Sequence, residues 1–315
     1  MGISSFKTGS MKRSFLAGNA AYIPFNPANA RAVFFGGYTN TYSNVMDYVQ
    51  IATTGNATDF GDLIAAKYIL AGCASSTRGL IGGGSLDGGT GSNVIEYITI
   101  DTTGNSIDFG DLTVGRYYLA SCNSTTRGIW GGGYGAGAYN VIDYVTIAST
   151  GNATDFGDLT VSRYALGSCS SSTRGLFAGG AGPLNEIDYI TIASAGNATD
   201  FGDLSAAAVY ISGCASATRG IFHLGYTTVG TNILEYVTIA TTGNTTDFGD
   251  LSSARYDDAS ASSSVRGLWG GGLPGNTNTI DYVTIASTGN ATDFGDLTVG
   301  RAYFGALSNN NGGVQ

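Results

Sequence analysis

The clearest polarity pattern lies in residues 187–193, Ile-Asp-Tyr-Ile-Thr-Ile-Ala, where β-branched and aromatic residues alternate with polar ones. That period of two predicts a half-buried β-strand. Residues 164–170 and the glycine-bounded apolar run 175–179 predict two strands before it, separated by a Ser172-Thr173 turn. The turn Ala195-Gly196-Asn197 and residues 199–204 predict a hairpin and a short fourth strand. No segment sustains a helical period.

The same four-strand pattern recurs along the chain. Asp-Phe-Gly-Asp-Leu begins at Asp59, Asp108, Asp155, Asp200, Asp247 and Asp293, a spacing of 45 to 49 residues. An Arg-Gly-apolar element recurs at Arg78, Arg127, Arg174, Arg219 and Arg266, with Arg31-Ala32 as its first copy. An acidic residue followed by Tyr recurs at Asp47, Glu96, Asp143, Asp188, Glu235 and Asp281. Four antiparallel strands repeated six times predict an all-β, six-bladed β-propeller. A β-solenoid is the alternative, disfavoured by the hairpin signals within each unit.

Composition agrees with one closed array. Gly supplies 50 of 315 residues and Pro only 4, without a collagen period. The 19 Tyr and 14 Phe are too many for a disordered chain. The net charge of −9 comes mainly from repeat positions, and no basic patch is present, so nucleic acid is not an expected partner. No apolar run reaches a membrane-spanning length, so membrane insertion is not expected. Neither a secretory signal nor, with Phe6 at the required Ser/Thr position, a myristoylation pattern is recognised.

The order Arg163-Tyr164, Gly179-Gly180, Tyr189, Phe201-Gly202-Asp203-Leu204 resembles a kelch repeat, and the resemblance covers nearly all of residues 31–307. Phe stands where kelch has Trp, and the Tyr-to-aromatic spacing is longer. The resemblance implies a kelch-like propeller whose first blade is completed by a C-terminal strand, here residues 301–307. The segment Thr-Gly-Asn-Ala-Thr-Asp-Phe-Gly-Asp-Leu also resembles virion structural proteins of marine tailed phages, particularly those of cyanobacteria. The expected organisation is an N-terminal arm over residues 1–28 and a propeller over 29–315. The arm holds Lys7, Lys12 and Arg13 together with Phe6, Phe15, Leu16 and Phe25. It is expected to attach the propeller to other virion subunits, or to a second copy through residues 14–18.

Most chemical motifs have a structural explanation in the repeat. The paired Asp of Asp-Phe-Gly-Asp are expected to flank a tight turn, one accepting bonds from backbone N–H groups or the repeat Arg. Calcium on Asn152, Asp155 and Asp158 is the alternative, although the spacing matches no calcium loop. Cys73, Cys122, Cys169 and Cys214 share one repeat position, too far apart for disulfides, and are expected as buried small apolar residues. His223 alone cannot build a copper site. No cofactor is expected.

The loop between the second and third strands varies between units and carries the binding expectation: Tyr38 and Tyr42, Asp87, Tyr134 and Tyr139, Leu184, Tyr226 and Asn276. Tyr on Gly/Ser/Asn loops supplies amphipathic contact area at small entropic cost. Neutral drift in unconstrained loops is the alternative. The expected function is a non-enzymatic virion structural or binding protein in the extracellular phage particle. It would be a tail-fibre, tail-tip or capsid-surface component contacting host-surface glycan or protein. The alternatives are a cellular kelch-type protein-interaction module and an enzyme on the propeller face.

Overall fold

The structure, a computed structural model that describes residues 30–314, is a six-bladed β-propeller with four antiparallel strands in each blade. In the third blade the strands are Ala120–Asn123, Arg127–Gly131, Val141–Thr146 and Thr154–Asp158, from the central channel outward. The first blade combines Arg31–Phe35, Val45–Gln50 and Thr58–Asp62 with Gly305–Ser308, which pairs along Arg31–Phe35 as the inner strand. The two ends of the array therefore share one sheet, which leaves no unpaired inner edge. Residues 1–28, to which the arm was assigned, lie outside the described residues.

Each blade has the same bulge. The ladder between the third and outer strands shifts register beside the acidic residue, as at Ile142/Asp143. The Phe of Asp-Phe-Gly-Asp is the extra residue, and it turns into the core: Phe156 is buried while Asp155 is exposed. A bulge of this kind bends the strand and re-aims one side chain. The following Gly157 has φ +142, and a Cβ there would lie 2.5 Å from the Gly196 carbonyl oxygen of the next blade. Only glycine suits that position.

Three contacts join successive blades. Arg127 donates from Nη1 to the Ile192 carbonyl of the next blade at 2.8 Å while its guanidinium covers Tyr144 at 4.6 Å, and Tyr144 meets Phe156 edge-on at 5.8 Å. The equivalent Arg does the same in all six blades, and Arg266 closes the circle on the Ile51 and Ala52 carbonyls of the first. Second, the Gly-Asn turn docks on the preceding blade, where Asn152 Oδ1 accepts from the Asp111 N–H at 3.1 Å. Third, each inner-strand thiol presses on a glycine of the next blade. Cβ atoms at Gly128, Gly175, Gly220 and Gly267 would lie 2.5–2.7 Å from Cys73, Cys122, Cys169 and Cys214. Where blade six carries the smaller Ala261, blade one tolerates Ala32 in the glycine position, both in one cluster. All four thiols are free and buried, and burial pushes them up.

Two sequence expectations change here. The Asp of the Phe-Gly turn is not the buried acceptor, because the bulge sends its side chain to solvent. The carboxylates that recur buried in every blade are those preceding the repeat Tyr. Asp143 accepts from Thr113 Oγ1 at 2.6 Å and pairs with buried Arg116 at 3.0 Å, and Asp188 pairs with Arg163 at 2.6 Å. The calcium alternative loses its first ligand, since Asn152 Oδ1 is engaged by the preceding blade. Among the described residues, no group of three or more His, Cys, Asp or Glu is disposed to hold a metal ion.

Arg174→Met removes a charge-assisted bond to the Ile239 carbonyl and a cation contact with Tyr189. The expected loss is ~2–3 kcal/mol in urea unfolding. Asp155→Ala, at an exposed site, is expected to stay within ~0.5 kcal/mol of the parent. The reverse order of effects would refute this assignment.

Candidate ligand-binding face

The first strands begin three residues later than their sequence pattern suggests, because a left-handed residue precedes each. Ile69, Tyr118, Ala165, Tyr210, Asp257 and Tyr303 occupy equivalent positions, one per blade, with φ between 55° and 59°. That conformation is costly for side-chain-bearing residues, most of all β-branched Ile69. Hydrogen bonds running from blade to blade hold it. Tyr118 donates its N–H to the Ile69 carbonyl at 3.1 Å, Ala165 to Tyr118 at 2.9 Å, and Tyr210 to Ala165 at 2.8 Å. Tyr303 donates to Asp257 at 3.0 Å and Ile69 to Tyr303 at 2.6 Å. These five bonds run around one mouth of the central channel, linking every pair of neighbouring blades except the fifth and sixth.

The variable loops are tied to the same rim. Tyr38 donates its N–H to the Ala302 carbonyl at 2.8 Å, Tyr134 to Tyr117 at 2.7 Å, Ala181 to Tyr164 at 2.7 Å and Tyr226 to Val209 at 2.9 Å. The loop tyrosines consequently pack on rim tyrosines. Tyr42 stacks on Tyr68 at 4.8 Å with Tyr38 beside both, and Tyr68 meets Tyr303 edge-on. Tyr134 lies 4.9 Å from Tyr164 and 5.7 Å from Tyr117, and Tyr226 lies 5.2 Å from Tyr256. Tyr118 and Tyr210 continue the belt across the mouth at 5.7 Å. Eleven tyrosines thus share one face. They are mostly half-buried, so each keeps part of its ring available.

The other expected site residues have different roles. Asp87 is exposed and accepts from the Gly89 and Thr90 N–H groups, which hold its carboxyl down at about 2, so it shapes its loop. Tyr139 accepts from the Ala136 N–H and braces its own loop. Leu184, expected in a loop, opens the third strand Leu184–Thr191, opposite Gly180 and Ala208. Asn276 has φ 51° and its carbonyl fills the space beside Gly300. Tyr68, Tyr117, Tyr118, Tyr164, Tyr210, Tyr256, Tyr303 and Asp257 were missed. The pattern that could have shown them is the residue pair directly after each repeat Arg or Lys, or after Ala208 at that position in the fifth blade, which reads as the start of a strand.

Below the rim, hydroxyls line the channel. Ser121, Ser168 and Ser260 donate to carbonyls of the preceding inner strand at 2.6–2.9 Å. At the far end Asn311 exchanges amide hydrogen bonds with Asn123 at 3.2 Å, and Gly312 and Gly313 lie against the Ser170, Ser216 and Asn123 carbonyls. That end is occupied by the segment after the closing strand, so among the described residues the open mouth is the tyrosine face.

One carboxyl pair stands in the mouth. Burial works against ionisation of Asp258, but His223, Arg255 and Ser212 outweigh it and hold its carboxyl below the usual range. Asp257 is pushed far up, by burial first and then by the Asp258 charge. The two carboxyls are thus pushed in opposite directions, Asp258 toward the ionised form and Asp257 toward the protonated one. No protein-family model and no curated protein matches the chain.

A raised folded-state pKa sets the sign of the linkage. The stability associated with the Asp257 carboxyl is fully present below its unfolded value of about 4 and is lost as pH rises toward the folded one. Asp257→Asn, which keeps a neutral polar group, is expected to raise Tm by ~2 °C or more at pH 8 and to change it little at pH 4. A lower Tm at pH 8 would show that the fold depends on ionised Asp257.

Proposed function

We propose that this protein is a non-enzymatic binding module of a tailed-phage virion, and that its tyrosine face holds host-surface glycan. The observation that carries this reading is the belt of eleven tyrosines around the mouth that the described residues leave open. Sugar rings present C–H faces that pack on aromatic rings, while the phenol hydroxyls bond the sugar's own hydroxyls. Tyrosine offers that contact with few rotatable bonds to immobilise, and here neighbouring rings and rim hydrogen bonds already hold it.

The repeat carboxylates support a binding rather than a catalytic role. Asp47, Asp143, Asp188 and Asp281 are occupied by a buried Arg, and each also anchors the loop arriving from the preceding blade. The kelch-like strand order and the completion of the first blade by Gly305–Ser308 fit the repeat resemblance. The phage setting rests on the style of the repeat, with residues 1–28 as the attachment to other virion subunits.

Purified virions are expected to contain the chain, and the isolated protein is expected to bind glycan extracted from the host surface. Tyr42→Ala and Tyr134→Ala should each weaken that binding by about tenfold, with Tm held within ~2 °C. Absence from virions would overturn the setting. Glycan binding indifferent to both substitutions would overturn the face.

A further inference from the structure

The channel mouth differs from the rest of the tyrosine face in holding a carboxyl. Asp257 lies on the rim with Tyr118, Tyr210 and Tyr303, and the cavity they line has a volume of about 90 Å³. Asp257 is 8% exposed, and its Oδ2 has no hydrogen-bond partner. A buried polar atom without a partner is uncommon and costly. Four of the other five rim positions carry Tyr or Ile and one carries Ala, so the carboxyl is specific to the sixth blade.

What would satisfy this group follows from its surroundings. An anion is disfavoured by the neighbouring ionised Asp258. A hard divalent cation needs six to eight oxygens, more than one carboxyl and three phenols supply. An ammonium group needs fewer acceptors and gains from aromatic faces, which attract cations through their ring quadrupole. The small volume admits the charged end of a ligand and leaves its body on the tyrosines outside.

We infer that the mouth is a recognition site for an ammonium group, held between the Asp257 carboxylate and the rings of Tyr118, Tyr210 and Tyr303. The inference rests on the reading of the tyrosine face as a binding surface and names the chemical group that its centre selects. An ammonium can come from an amino sugar or from a lysine side chain. An ammonium beside Asp257 favours its carboxylate, so binding at a pH where Asp257 holds a proton releases that proton to solvent. The groups facing Asp257 in this step are Asp258, which His223 and Arg255 keep paired, and the three phenols.

The test is titration calorimetry with the full chain and two probe pairs. One pair is the glucosamine trimer and its N-acetylated form. The other is the peptide Gly-Lys-Gly and its Nε-acetyl form. At least one amine is expected to bind about tenfold tighter than its acetylated partner, and the pair that does so identifies the source. Asp257→Asn should abolish the preference. Tyr210→Ala should reduce it, and Ala165 already occupies the equivalent rim position in the fourth blade. Proton release, measured in buffers of different ionisation enthalpy, should accompany binding in the parent and vanish in Asp257→Asn. No preference for either amine, or a preference that survives Asp257→Asn, overturns the inference. If both trimers bind equally and Tyr42→Ala weakens both, the glycan reading stands and the ammonium site falls. If only Gly-Lys-Gly binds, with its preference lost in Asp257→Asn, the ammonium site stands and the glycan reading falls.

Discussion

The arginine at the start of each second strand is the contact on which the ring depends. It ties two blades in one residue: its guanidinium lies over a Tyr of its own blade while Nη1 reaches a backbone carbonyl of the next. The carbonyl it caps lies just beyond the third strand, where no ladder partner is available to it. The charge is thus placed where it satisfies a backbone group and an aromatic face together. Repeated six times and closed on the first blade, these contacts make each blade's position conditional on both neighbours. In an open array the terminal units would lack one such neighbour.

Other repeat features follow from that closeness. Blades brought together by the Arg contact leave no room for side chains where turn meets strand, which explains the glycine in each Phe-Gly step. They also leave little room at the inner strands. There the pairing of Cys with Gly in four interfaces, and of Ala with Ala in a fifth, conserves total volume across the joint. The fifth blade shows how a departure is absorbed. Ala208 replaces the buried Arg or Lys of the other blades, and His223 fills the end of the second strand instead. Its Nε2 lies 3.0 Å from the Thr231 carbonyl and its Nδ1 3.0 Å from Asp258. That substitution brings Asp258 under control beside Asp257, so a local repair in one blade shapes the electrostatics of the mouth.

The architecture was legible because it repeats. Six copies of one turn and one alternating strand specify blade number, strand number and strand order with little ambiguity. The site was legible only in part. Tyr38, Tyr42, Tyr134 and Tyr226 stand out as aromatic residues in variable loops, and the structure brings them to the rim. Their partners were hidden because Arg163-Tyr164 and its equivalents read as the first residues of a strand. The left-handed residue that interrupts that strand is Ile, Tyr, Ala or Asp, none of which announces a positive φ. The exposed Asp of the Phe-Gly motif was misread for a related reason: a bulge exchanges inside for outside, and side-chain alternation does not reveal where one occurs. Asp257 was invisible as a candidate because it is an exception to the repeat, and its surroundings depend on neighbours supplied by other blades.

If the blades are coupled by the arginine circle, they should open together. Native-state hydrogen exchange in low denaturant measures this directly, by following the second- and third-strand amides of all six blades. The account predicts that those amides share one opening free energy, within ~1 kcal/mol, and the same denaturant dependence. Blades that open singly, with separate free energies and smaller denaturant slopes, would contradict it.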